Sequence, residues 1–160
     1  MHNAVLVIGD NPVEQLRPLH PDPFDWYAVG GRYSGWLLAS PDAITGTIHG
    51  DAMPAAEARL LGALDGARRP GPGRGPGVDQ ACVFDVDLDA TLAKLAPTPD
   101  ESIVIGVMAN GRWHQGPLLT FMERGPAEVE AGATKWHQQL QHLLRAAPPE
   151  ALLTLIDVHW

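Results

Sequence analysis

The residue pattern predicts an α+β protein: one mostly antiparallel sheet with helices packed on one face. Three observations carry that expectation. Short aliphatic and β-branched runs occur near both ends and in the middle, at residues 4–8, 102–108 and 152–160. Helix-compatible stretches lie between them, the longest over residues 126–145. Asn110-Gly111 follows one apolar run and is the strongest hairpin signal in the chain. A ferredoxin-like core elaborated by insertions is the specific architecture expected, as a single domain over residues 1–160.

Each element has its own justification. Residues 4–8, Ala-Val-Leu-Val-Ile, read as a buried strand ended by Gly9-Asp10. Asn11-Pro12-Val13-Glu14 reads as a helix start, with Asn11 as cap, Pro12 in the first turn and Glu14 in the capping-box position. Pro18, Pro21 and Pro23 keep that helix brief. Residues 26–29 and 33–38 read as two strands joined through Gly30-Gly31, a hairpin; a single bulged strand is the rival. A short strand is expected at 44–48 and a helix at 54–64. Residues 66–77 alternate Gly and Pro with three arginines, a composition that neither pairs nor winds, and read as a mobile loop. Residues 81–86 form a strand candidate. Residues 89–95 form a short helix capped by Asp87 or Asp89. The hairpin returns over 112–114. The long helix presents Val129, Trp136, Leu140, Leu143 and Leu144 inward and stops before Pro148-Pro149.

Composition narrows the function classes. The 160 residues are 45% hydrophobic and 19% charged, which fits a folded domain with a real core. A net charge of −8 argues against nucleic acid or an anionic membrane as the main partner. The single cysteine, Cys82, excludes an intrachain disulfide and a cysteine-based zinc site. No run approaches the roughly 20 apolar residues of a membrane span, so a soluble, cytoplasmic protein is expected. Phosphate-binding loops, dinucleotide fingerprints and serine elbows are absent from the sequence.

The densest chemistry lies in residues 25–36. Four of the chain's ten aromatic side chains stand here with three glycines, Asp25 and Arg32. Glycine permits positive φ and close backbone approach, and aromatics beside such a turn can wall a small-molecule site. Arg32 is the anion contact, with its structural alternative a salt bridge to Asp25 or Asp157. Tyr27 and Tyr33 are candidate proton donors, and Trp26, Trp36, Gly30 and Gly31 candidate ligand contacts. Asp10, after a strand and before a helix, is a further ligand candidate.

The terminal strand supplies the other half. Leu153, Leu155, Asp157 and His159 share one face, and Leu152, Thr154, Ile156, Val158 and Trp160 the other. Both faces are largely apolar, so this strand is expected to be central. If it pairs antiparallel with the first strand, His2, Asp157 and His159 converge. Two histidines and an aspartate could then run acid–base chemistry, or ligate a divalent ion such as Zn²⁺ or Fe²⁺.

The chain also resembles a group of small phage and bacterial proteins. The shared features are residues 5–10 (Val-Leu-Val-Ile-Gly-Asp), Glu14-Gln15-Leu16, Pro18, Asp25-Trp26-Tyr27, Gly30-Gly31-Arg32, Gly35, and a closing Thr154 to His159 strand. A histidine before the first strand, as at His2, is also shared. Tyr33 replaces a usual tryptophan, Val158 a common cysteine and His114 an expected tyrosine. The resemblance implies a grouping of His2, Asp10, Arg32, Asp157 and His159, and no reaction. The resulting expectation is an enzyme acting on a polar or anionic small molecule. The alternative is a non-catalytic ligand- or protein-binding accessory protein. Neither oligomeric state, a homodimer included, nor substrate is fixed.

Overall fold

The computed structural model describes residues 2–19, 24, 26–38, 77–116 and 126–159. The expected strand at 44–48, the helix at 54–64, the Gly/Pro loop up to residue 76, Asp25 and Trp160 lie outside the described residues.

Six strands form one mixed, mostly antiparallel sheet among the described residues, as expected for an α+β chain. They are β1 (His2–Ile8), β2 (Trp26–Val29), β3 (Gln80–Cys82), β4 (Val104–Ala109), β5 (Arg112–Gln115) and β6 (Leu152–His159). Three α-helices accompany them among the described residues: α1 (Pro12–Leu16), α2 (Leu88–Leu95) and α3 (Pro126–Arg145). The order across the sheet is β2-β6-β1-β4-β5, with β3 also on β6. β1 and β6 are antiparallel in the register His2 to His159, Ala4 to Asp157 and Leu6 to Leu155. β1 and β4 are parallel, with a one-residue slip after Ala4.

The core succession β1, α2, β4, β5, α3, β6 has the element order of a ferredoxin-like core. Its strand placement differs. In that arrangement a strand separates the two parallel ones. Here β4 lies directly against β1 and its hairpin partner β5 takes the outer position.

β6 is central because it is buried on both faces, its residues 153–158 all being inaccessible. Ala4, Leu6, Ile8, Leu153 and Leu155 pack with Leu92 and Leu95 of α2 and with Trp136, Leu140 and Leu144 of α3. Leu140 and Leu144 lie four apart and both are fully buried, the inward stripe read from the sequence. Val129 and Leu143 at the stripe's margins are only half-buried. On the opposite face Val5, Val7, Ile156 and Val158 pack with Val13 and Leu16 of α1, and with Phe24 and Tyr27. The two longer helices therefore share a face, and among the described helices only the one-turn-and-a-half α1 packs on the other.

Local chemistry explains most element ends. Asp87 caps α2, accepting from the Ala90 amide at 2.9 Å. Asn110 and Gly111 both take positive φ, 53° and 71°, as a tight hairpin turn requires. Asn11 departs from expectation. It sits at the N-cap of α1 but takes φ 53°, and its side chain makes no capping bond. Gln15 ties this corner instead. Its amide donates to the Asp10 carbonyl at 2.7 Å, and its oxygen accepts from the Gly111 amide at 3.2 Å. The 81–86 strand is shorter than expected, because a 3-10 turn takes over at Val83–Asp85.

The Gly30-Gly31 hairpin is not formed. β2 ends at Val29, Gly31–Tyr33 is a 3-10 turn, and of residues 33–38 only Leu37 pairs, in an isolated bridge to Val78. Gly30 and Gly31 have φ of 68° and 48°, and they fold the chain over the sheet rather than back along β2.

Gly106 is needed for a different reason. A Cβ there would fall 1.9 Å from the Trp113 ring. Gly106→Ala should displace the indole and destabilise the protein by about 1–3 kcal/mol, the usual cost of overpacking. Urea unfolding measures it, and an unchanged midpoint would contradict this packing.

Candidate functional site

The pairing of the first and last strands brings the expected residues together. In an antiparallel ladder directly opposed residues share a face. His2 and His159 oppose each other at one end of the sheet, and their rings meet edge to face at 5.1 Å between centroids. Asp157, one pleat inward, opposes the small Ala4 and is fully buried. His2 Nδ1 lies 3.0 Å from Asp157 Oδ1 and 3.2 Å from Oδ2. The His2 side chain is itself only 10% exposed.

The second ligand of Asp157 is main chain. The Arg32 amide donates to Oδ2 at 2.9 Å. Such an approach needs glycine at position 31, where a Cβ would lie 2.5 Å from the Asp157 Cβ. The expected alternative of an Arg32–Asp157 salt bridge is therefore replaced by a backbone contact. The guanidinium itself is on the exposed surface of the turn. It is close enough that its charge lowers the proton affinity of both Asp157 and Tyr33.

Tyr33 braces this arrangement. Its hydroxyl donates to the His2 carbonyl at 3.0 Å, and its ring meets Trp36 edge to face at 5.4 Å. Lys94 of α2 places its ammonium 4.7 Å over the Trp36 ring, so Trp36 is a wall between the turn and α2. Burial, then the Asp157 charge, pushes the Tyr33 phenol up to about 12, with Arg32 opposing. A phenol so placed stays protonated near neutral pH and braces the β1 terminus.

Burial also raises the Asp157 carboxyl above its ordinary 3.8, against the opposing pull of the Arg32 amide, the His2 hydrogen bond and the two cationic neighbours. The folded state thus holds that proton more tightly than the unfolded chain. This group's contribution to stability falls as pH rises from 3.8 through its folded midpoint.

A second buried carboxylate belongs to the same turn and was not legible in the sequence. Asp79, immediately before β3, accepts from the Gly35 amide at 2.7 Å and from the Ser34 hydroxyl at 3.0 Å. A Cβ on Gly30 would fall 2.4 Å from its carboxyl carbon. Asp79 follows a Gly/Pro tract, with no periodicity to mark it; only an acidic residue flanking a buried strand could have drawn attention.

Two expected residues are elsewhere. Asp10 is exposed at the far end of β1, roughly 25 Å from His2 along a strand rising about 3.3 Å per residue. Tyr27 opposes Val158 and packs into the opposite face with Phe24 and Ile156. Alternation along β6 places it across the sheet from Asp157. Trp26 stands opposite His159 in the ladder.

The cluster does not have the character of a metal centre. Among the described residues no group of three or more His, Cys, Asp and Glu side chains is disposed to hold an ion. The reason at this site is visible. Asp157 is occupied by the Arg32 amide, and the His2 nitrogen that faces it is hydrogen-bonded to it. The Zn²⁺ or Fe²⁺ shell expected from His2, Asp157 and His159 gives way to a hydrogen-bonded network. Among the described residues no helix is long and apolar enough to cross a membrane.

No protein family, curated protein or solved structure matches this chain.

Tyr33 provides a direct check. An acid whose folded pKa is raised loses stability as pH climbs between the two values, here between 10 and about 12. Alkaline titration of tyrosinate absorbance should show a phase near 12 that Tyr33→Phe abolishes. A wild-type titration complete near 10 would remove the proposed burial of the phenol. Gly31→Ala should cost at least about 1–3 kcal/mol from positive φ alone. A melting point equal to wild type would show that residue 31 does not abut Asp157.

Proposed function

We propose that this protein is an enzyme performing acid–base chemistry on a small polar substrate that carries an anionic group. The observation that carries the reading is the fully buried Asp157 carboxylate 3.0 Å from Nδ1 of a nearly buried histidine at the sheet's end. A carboxylate in that position selects the tautomer with the proton on Nδ1, which leaves the Nε2 lone pair as the basic site. It also stabilises the imidazolium once His2 has accepted a proton. The Tyr33 hydroxyl on the His2 carbonyl fixes the strand terminus from which the ring projects. His159, edge-on to His2, is the second titratable ring and the candidate for returning a proton. Arg32, exposed beside this pair, is the group that would hold the substrate's carboxylate or phosphate.

A specific observation favours a second reading. Both buried carboxylates of this region accept hydrogen bonds from the 30–35 turn, which is also how a rigid non-catalytic binding platform would be made. The two readings share the Arg32 contact and differ at His2.

The test is a panel of small phosphates and carboxylates added to the full-length protein. Occupied at 100 times its Kd, a ligand that binds only the folded state stabilises by about 2.7 kcal/mol, a readily measured rise in melting temperature. Ligands that raise the melting point should lose their effect in Arg32→Gln. Turnover of any such ligand should be abolished in His2→Ala and reduced at least tenfold in Asp157→Asn. Binding without turnover, unaltered in His2→Ala, would establish the platform reading. No response to any anion would overturn the role given to Arg32.

A further inference from the structure

The 30–35 turn is held at both ends, and only one end involves the acid–base pair. At its entry the Gly30 amide donates to the Leu155 carbonyl at 2.8 Å, and the Arg32 amide donates to Asp157. At its exit the Gly35 amide and the Ser34 hydroxyl both donate to Asp79. Asp79 is anchored to the same point of the sheet. Its carbonyl accepts from the Leu155 amide at 2.9 Å, so Leu155 is bonded to Gly30 on one side of its peptide and to Asp79 on the other. β2 and β3 therefore run end to end along β6, and the chain departs and returns at a single residue.

The Asp79 carboxylate fills the gap at that junction. It is 3% exposed and lies so close to Gly30 that no side chain fits between them. One carboxylate thus contacts the first glycine of the turn and hydrogen-bonds the last. Arg32 stands between these two points. Within the turn, Tyr33 and Ser34 donate back to the Gly30 and Gly31 carbonyls at 2.8 and 3.3 Å. Three-residue 3-10 turns are not self-supporting, and this one needs external ties at both ends.

We propose that Asp79 is a positioning residue of this site: through the Gly30–Gly35 turn it keeps the Arg32 amide on Asp157 and the guanidinium beside the His2–Asp157 pair. The functional meaning of that placement rests on the acid–base reading. The structural dependence of Arg32 and His2 on Asp79 does not, and it can be read without a substrate. The contacts that tie the turn give Asp79 a route to His2 through Arg32 and Asp157. With the Arg32 amide withdrawn, Asp157 has one donor fewer and becomes a stronger acceptor for the His2 ring.

The experiment uses the full chain and NMR. In Asp79→Ala the Arg32 amide should exchange with solvent at least tenfold faster than in wild type. Amides of the β1–β6 ladder, such as Val5 and Ile156, should keep their protection. The His2 ring should titrate at higher pH than in wild type. Asp79→Asn retains a carbonyl acceptor for the Gly35 amide and should restore both readouts most of the way. Ser34→Ala, which removes one of the two ties, should fall between. Should Asp79→Ala fail to fold, Asp79→Asn and Ser34→Ala carry the test through the same two readouts. Wild-type exchange at Arg32 and an unmoved His2 titration would overturn the proposal, as would a uniform loss of protection across the sheet. A protein that fails every substrate assay but shows this coupling would lose the acid–base reading and keep the positioning role.

Discussion

The arrangement depends on one buried carboxylate. Asp157 lies in an interior strand of a sheet that is apolar on both sides, where an isolated charge would be strongly disfavoured. It is tolerated because three segments far apart in sequence converge on it. β1 brings the His2 ring, β6 supplies the residue, and the turn after β2 brings the Arg32 amide. The ladder gives it room by placing Ala4 opposite. Removing one partner of such a group leaves the remainder buried without compensation, which typically costs about 3–5 kcal/mol. The start of β1, the end of β6 and the turn between β2 and β3 therefore form one cooperative unit.

That unit explains why the glycines stand where they do. Gly31 lets the main chain reach a carboxylate on a central strand, and Gly30 lets a second carboxylate close in from the other side. Asp157 and Asp79 flank the same short turn from opposite ends, both attached to β6, one as its residue and one through the Leu155 amide. The aromatic content of the segment serves the same end. Tyr33 ties the turn to the β1 terminus and Trp36 fills the space beneath Lys94. A feature that reads in sequence as a ligand wall is in large part the wall of its own turn, with Arg32 left at the outer edge.

The parts legible in the sequence were those with a local period or a local rule. Two largely apolar faces along 152–160 identified a central strand, and the convergence of His2 with Asp157 and His159 was expected on the condition that this strand pairs antiparallel with the first, as it does. The Asn-Gly turn, the Asp87 cap and the stripe of α3 were all matters of neighbouring residues. What the sequence hid depended on distant partners. The Gly30-Gly31 pair looks like a hairpin until two carboxylates, 48 and 126 residues beyond Gly31 (79 − 31 and 157 − 31), claim the amides of Gly35 and Arg32 just after it. Asp10 looks like a ligand residue from its place after a strand, yet the strand carries it to the wrong end. Tyr27 shares a motif with Arg32 but the pleat sends it through the sheet. The parallel contact of β1 with β4 is likewise a long-range choice that hydrophobic pattern alone does not dictate.

The most direct measurement follows the Asp157 carboxyl carbon and the Arg32 amide proton together through a pH titration of the intact chain. If Asp157 is buried and shared between His2 and Arg32, its carboxyl should titrate above 3.8, and the Arg32 amide should shift with the same midpoint. A carboxyl that titrates at or below 3.8 with an Arg32 amide that does not respond would mean that the convergence on this residue does not exist.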